Sequence, residues 1–160
     1  MRLQEMIRAS KTVVDHGKWR HGNIPRADFP LKKKPVPLNP EWLWRVVQLK
    51  SEVGKMRVLL RLHQGKEQFY AVLADEREEG LALVCSHEIH TSHGDWHCHL
   101  PKGKASDVAC GYWRDKHQVR PWPQYKGPTR VAFDVTPISA MAIAAKLYRF
   151  DLAPQSEMVI

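Results

Sequence analysis

The chain has 160 residues, 43% of them hydrophobic, enough to bury a core without disulfide staples. Its three cysteines form no CxxC pair, and an odd number spread through strand-like segments suits a reducing cytoplasm better than a disulfide scaffold. No apolar run approaches a membrane span and Met1-Arg2-Leu3-Gln4-Glu5 opens no signal-type segment, so a cytoplasmic protein without a membrane partner is expected.

The formal charge of +8 is unevenly placed: residues 1–40 carry +6, 41–100 carry −2, 101–130 carry +5 and 131–160 carry −1. Two basic blocks around a near-neutral middle are how a polyanion footprint is laid out, and nucleic acid is the partner class they suggest. A solvated basic surface is the plainer alternative.

In chain order, Leu3, Met6, Ile7, Val13 and Val14 fit one helical face, and a short helix is expected within residues 2–16. From His16 to Pro40 the chain holds Gly17, Gly22, Pro25, Pro30, Pro35, Pro37 and Pro40, which no helix or central strand tolerates. Residues 1–40 therefore read as a basic, Pro-rich N-terminal arm. Its Lys32, Lys33 and Lys34 can lie along a phosphate backbone, or the arm can pack over the body.

A single α+β domain is expected over residues 41–160. Trp42–Leu49 is rich in aromatic and β-branched residues, Met56–His63 alternates Val58, Leu60 and Leu62 with Arg57, Arg61 and His63, and Gln68–Ala74 and Leu81–Thr91 follow across short turns. This is an antiparallel β-meander. Val108–Trp113 and Thr129–Val135 read as further strands, and Arg114–Pro123 as a basic, aromatic loop. Thr136 as N-cap and Pro137 at the first helical position open a C-terminal helix. Ile138, Met141, Ala142, Ala145 and Tyr148 form the stripe that packs on one face of the sheet.

Chemistry concentrates between Cys85 and Leu100, where five of the nine histidines fall within thirteen positions. A hairpin turning at His93-Gly94 pairs Thr91 with Trp96, His90 with His97, Ile89 with Cys98 and Glu88 with His99. One face then carries Glu88, His90, His97 and His99, and the other carries His87, Ile89, Thr91, Trp96, Cys98 and Leu100. A one-residue slip would scatter the set. His87, on the apolar face, reads as a core histidine.

Three imidazoles on one face can cap a divalent transition metal such as zinc: His90, His97 and His99 are the candidate ligands. Glu88 is then a fourth ligand, an orienting group or a base. The same four residues suit metal-free acid/base work on a phosphodiester. Lys102, Lys104, Arg114, Lys116 and Arg120, with Trp122 for stacking, are the candidate nucleic-acid contacts. The string HEIHTSHGDWHCH lacks the second histidine of a HExxH zincin and the cysteine pair of a C₂H₂ finger, and His90-Thr91-Ser92 has no second copy half a chain away. The leading expectation is an RNA-directed phosphodiesterase or nuclease. The alternatives are a zinc- or iron-dependent hydrolase or oxygenase on a small molecule, and a non-catalytic nucleic-acid- or protein-binding module.

Overall fold

The computed structural model describes residues 1–89, 96–115, 117–121 and 134–152. Its centre is an antiparallel sheet built on five successive strands, β3 (Leu43–Ser51), β4 (Gly54–His63), β5 (Gln68–Arg77), β6 (Gly80–Ile89) and β7 (His97–Pro101). Two short N-terminal strands, β1 (Thr12–Asp15) and β2 (Arg20–His21), both pair with β3, and β8 (His117–Pro121) pairs with β7 at the other edge. Helices α1 (Leu3–Arg8) and α2 (Pro137–Tyr148) complete an α+β meander.

Strand alternation divides the side chains between two faces. Val47, Leu49, Met56, Val58, Leu60, Leu62, Phe69, Ala71 and Leu73 form the helix face, on which α1 and α2 pack. Trp44, Val46, Leu59, Val72 and Ala74 point the other way and are covered by Ile24, Phe29, Leu31 and Val36. The Pro-rich residues thus close a second core. Arg57 on β4 clamps them, donating to the carbonyls of Ala27 at 2.9 Å and Asp28 at 2.8 Å while pairing with Glu76. Among the described residues no helix is long and apolar enough to cross a membrane.

One irregularity decides which side chains meet. Leu73 faces Cys85 while the next residue, Ala74, faces Leu83, so Val84 is an extra residue in β6. Both Val84 and Cys85 enter the helix-face core, whereas Leu81 and Leu83 before them pack on the opposite face. A bulge of this kind shifts the alternation by one. Beyond it Ser86 and Glu88 lie on the opposite face and His87 on the helix face.

Several expectations need correction. Residues 2–16 are not one helix: α1 stops at Arg8, and β-branched Thr12, Val13 and Val14 run as an edge strand. Between them Lys11 buries its ammonium, which donates to the carbonyls of Ile7 at 3.0 Å, Ala9 at 2.8 Å and Tyr148 at 2.7 Å. It joins the C-terminal ends of both helices, and burial lowers its pKa to about 8. Val108–Trp113 forms no strand, and the stretch read as a loop contains β8, where Pro121 is tolerated because it ends an edge strand. Residues 129–133 lie outside the described residues, and Asp134 and Val135 are not in a strand. In α2 the caps are as expected, with Thr136 accepting from the Ser139 amide. The buried stripe is Ala140, Met141, Ala144, Ala145 and Tyr148, while Ile138 is 68% exposed. Small alanines let the helix approach the sheet, where Tyr148 donates to the carbonyl of Ala71 at 2.8 Å.

His87 Nδ1 lies 2.9 Å from the Tyr148 hydroxyl, which already gives its proton to Ala71, so the ring donates from Nδ1. Burial lowers its pKa from 6.5 to about 4. The unfolded chain therefore takes up this proton at higher pH than the folded one, and stability contributed above pH 6.5 is lost as pH falls toward 4. The full effect is of order 3 kcal/mol. Urea unfolding at pH 7 and pH 4.5 is expected to show a larger loss for the wild type than for His87→Gln. A second prediction concerns Gly17, at φ +65, where a Cβ would overlap the carbonyl oxygen of Val46. Gly17→Ala is expected to lower the thermal midpoint by roughly 5 °C or more, since both the overlap and the left-handed backbone oppose a side chain.

Candidate functional site

Towards one end of the opposite face the strand register forms two transverse rows. Trp44, Arg61, Tyr70, Glu88 and His97 stand side by side on β3 to β7, and Val46, Leu59, Val72, Ser86, His99 and Val119 form the next row on β3 to β8. The first row begins at Trp44, beneath the segment that covers the second core, passes through Arg61 and Tyr70, and ends on Glu88 and His97. The site lies at that charged end.

Glu88 is 1% exposed, His97 8% and His99 6%. His97 Nε2 is 3.1 Å and His99 Nε2 3.2 Å from Glu88 Oε1, and Arg114 Nη2 donates to the same oxygen at 2.7 Å. The Ser86 hydroxyl donates to Oε2 at 3.2 Å. The two imidazoles meet edge to face, with ring centroids 5.2 Å apart. Glu88, His97 and His99 form a group that can hold a metal ion, with one ligand atom from each lying within 4.8 Å of the others.

The electrostatics follow from that packing. Burial pushes the Glu88 carboxyl up, but Arg114, His99 and His97 together outweigh it and hold its pKa below the usual value. Burial lowers the pKa of His99 against the opposing pull of Glu88. Burial, reinforced by Glu88, raises that of Tyr70, so its phenol stays protonated. Beside it, the Arg61 guanidinium lies 4.5 Å from the Tyr70 ring and 5.2 Å from the Trp113 ring. Its Nε is buried and, among the described residues, has no hydrogen-bond partner. An orphaned donor of this kind costs about 1–3 kcal/mol, and an incoming acceptor relieves it.

The expected pairing of Glu88 with His99 is corrected: Glu88 faces His97, and Ser86 faces His99. The offset is two residues, which preserves side-chain parity, so Glu88, His97 and His99 still share a face. His90 lies outside the described residues, as do the turn at His93-Gly94, Lys116 and Trp122. Arg114 is at the site, as an ion-pair partner of the carboxylate. Lys32, Lys33 and Lys34 are exposed on the segment covering the second core, and Lys102, Lys104 and Arg120 gather on the helix-face side. The basic candidates are thus dispersed rather than joined into one track.

Ser86, Arg61 and Tyr70 escaped the sequence reading as site residues, whereas Trp113 reads from sequence as a base-stacking candidate with aromatic packing as the plainer alternative. Arg61 carried a usable signal: it falls on the polar phase of β4, and the turn after His63 aligns it with Tyr70. Trp113, from an irregular segment, packs against Phe29 and the Arg61 guanidinium. No family model, curated protein or solved structure matches this chain.

The ion pair between half-exposed Arg114 and buried Glu88 has a measurable consequence. A double-mutant cycle of Arg114→Met and Glu88→Gln, read by urea unfolding at pH 7, is expected to give a coupling of about 1.5–3 kcal/mol, the range for a hydrogen bond to a charged group. A coupling near zero would mean that the salt bridge contributes nothing to holding the carboxylate.

Proposed function

We propose that this chain is a metal-dependent enzyme acting on a small anionic substrate, with Glu88, His97 and His99 as ligands to a divalent transition metal. The observation that carries the reading is the convergence of two imidazole nitrogens and one carboxylate oxygen at a single buried point. Two bonds of about 2.1 Å at angles between square and tetrahedral span roughly 3.0–3.4 Å between donor atoms. The O···N separations of 3.1 and 3.2 Å fit that span. The same separations are hydrogen bonds when each Nε2 carries a proton and ligand edges when it does not.

Two histidines with one carboxylate are the donors of non-haem iron(II) oxygenases, and His₂Glu also serves zinc hydrolases. The metal would supply Lewis acidity or, as iron, oxygen activation. The chain's own part is to bind and orient. Arg114 and Arg61 supply two cations beside Glu88, and Tyr70 remains a proton donor, a set suited to a carboxylate or phosphate group on the substrate.

The metal-free phosphodiesterase reading has less support. That mechanism needs two histidines on opposite sides of a scissile bond, and here both rings reach the same oxygen from one strand. Burial of both rings also suits a small substrate better than a polymer.

Titrating chelator-treated, untagged protein with cobalt(II), zinc(II) and, under argon, iron(II) is the test. One equivalent is expected to bind, with a cobalt(II) absorption band that disappears in His97→Ala and His99→Ala and weakens at least a hundredfold in affinity in Glu88→Gln. Absence of stoichiometric binding by all three metals would overturn the proposal. Release of labelled fragments from RNA by metal-free protein would favour the phosphodiesterase instead.

A further inference from the structure

On the opposite side of the sheet from Glu88, a groove of about 400 Å³ opens beside α1 and the β7–β8 edge. Four cations line it: Arg2, Lys102, Lys104 and Arg120. Its apolar part comes from Leu3, Ile7 and Leu100. The backbone assembles it from distant parts of the chain. Leu3 N–H donates to the carbonyl of Gly103 at 3.1 Å, Ala105 N–H donates to that of Met1 at 2.9 Å, and Arg2 and Lys104 form an antiparallel bridge. Arg120 arrives opposite Cys98 on the helix face.

Among the described residues no acidic side chain lines this groove. Asp107, close by, takes the Lys104 backbone amide at 3.0 Å. Among the described residues none of the four cations has a hydrogen-bonded or ion-paired side-chain partner. Four like charges around one concavity repel one another, and an anion that enters relieves the repulsion where low-dielectric walls focus the field. The volume falls within the range of small-ligand sites, about 300–1,000 Å³. An apolar floor under a cationic rim matches a molecule that is anionic at one end only.

We propose that this groove binds an organic phosphate, with the phosphate chain on Arg2, Lys102, Lys104 and Arg120 and an apolar or aromatic body on Leu3, Ile7 and Leu100. The site is independent of the metal reading, because the sheet lies between the two. Calorimetry at low salt tests it with ATP, with pyrophosphate as the probe lacking a body, and with a single-stranded oligonucleotide as the polymer. ATP is expected to bind one to one and more tightly than pyrophosphate. Lys102→Glu with Lys104→Glu, or Arg120→Gln alone, is expected to weaken ATP at least tenfold and fivefold respectively, with thermal midpoints unchanged. Leu100→Asn is expected to erase the advantage over pyrophosphate, and Glu88→Gln to leave ATP binding as it was. No heat with millimolar ATP, undiminished ATP binding in the charge variants, or oligonucleotide binding without ATP binding would each overturn the proposal.

Discussion

A carboxylate withdrawn from water organises this protein. Burying an ionised Glu costs several kcal/mol unless donors replace the lost hydration. At 1% exposure Glu88 has those donors: two imidazoles, a guanidinium and a hydroxyl. All four stand on the same side of the sheet, so Glu88 must point there too. The bulge at Val84 makes this possible. With regular alternation from Leu81 and Leu83, Glu88 would face the apolar core beneath α2, and His87 would take its place among the charges.

The helix face solves a related problem with neutral groups and one lysine. His87 is held uncharged by burial and passes its Nδ1 proton into a hydrogen bond with Tyr148, which in turn donates to Ala71, so the chain of donors ends on a backbone acceptor. Lys11 keeps its ammonium by giving all three donors to carbonyls, two of them at the ends of helices, where the backbone dipole favours a cation. Polar side chains thus act as the pins of this face: Tyr148 fixes α2 to the sheet, and Lys11 fixes α1 to α2. Among the described residues the opposite face leaves buried polar atoms unpinned, and two of them, Trp44 Nε1 and Arg61 Nε, stand in the same row as Glu88.

What the sequence disclosed follows the physics of period and turn. Alternation over Met56–His63 and the short turns after it identified the meander, because a period of two survives any uncertainty about ends. The same parity explains why Glu88, His97 and His99 were grouped correctly although their pairing was two residues off. The bulge was not legible: Leu81-Ala82-Leu83-Val84-Cys85 is apolar throughout, and a continuous apolar run conceals a shift in phase. Nor was the fate of Thr12–Asp15, since Val13 and Val14 satisfy a helical stripe and an edge strand equally well, and only the demand of β3 for a partner decides between them. Arg114 was recognised as a cation without its destination, because its contact spans 26 residues of chain and rests on an irregular loop.

The crowding at one oxygen links the parts of the site. A carboxylate oxygen offers two in-plane lone pairs, yet three donors converge on Glu88 Oε1. A cation seated among the three ligand atoms would use the Nε2 lone pairs and shift both imidazole protons to Nδ1, and it would compete with Arg114 for the same carboxylate. Arg114, half exposed and carried on an irregular segment, is the member able to leave. On the proposed reading a displaced Arg114 would need another anion, and a substrate carboxylate or phosphate beside Arg61 would be the natural acceptor. Metal and substrate would then favour each other's binding through a single side chain, a coupling that is reciprocal by thermodynamic necessity.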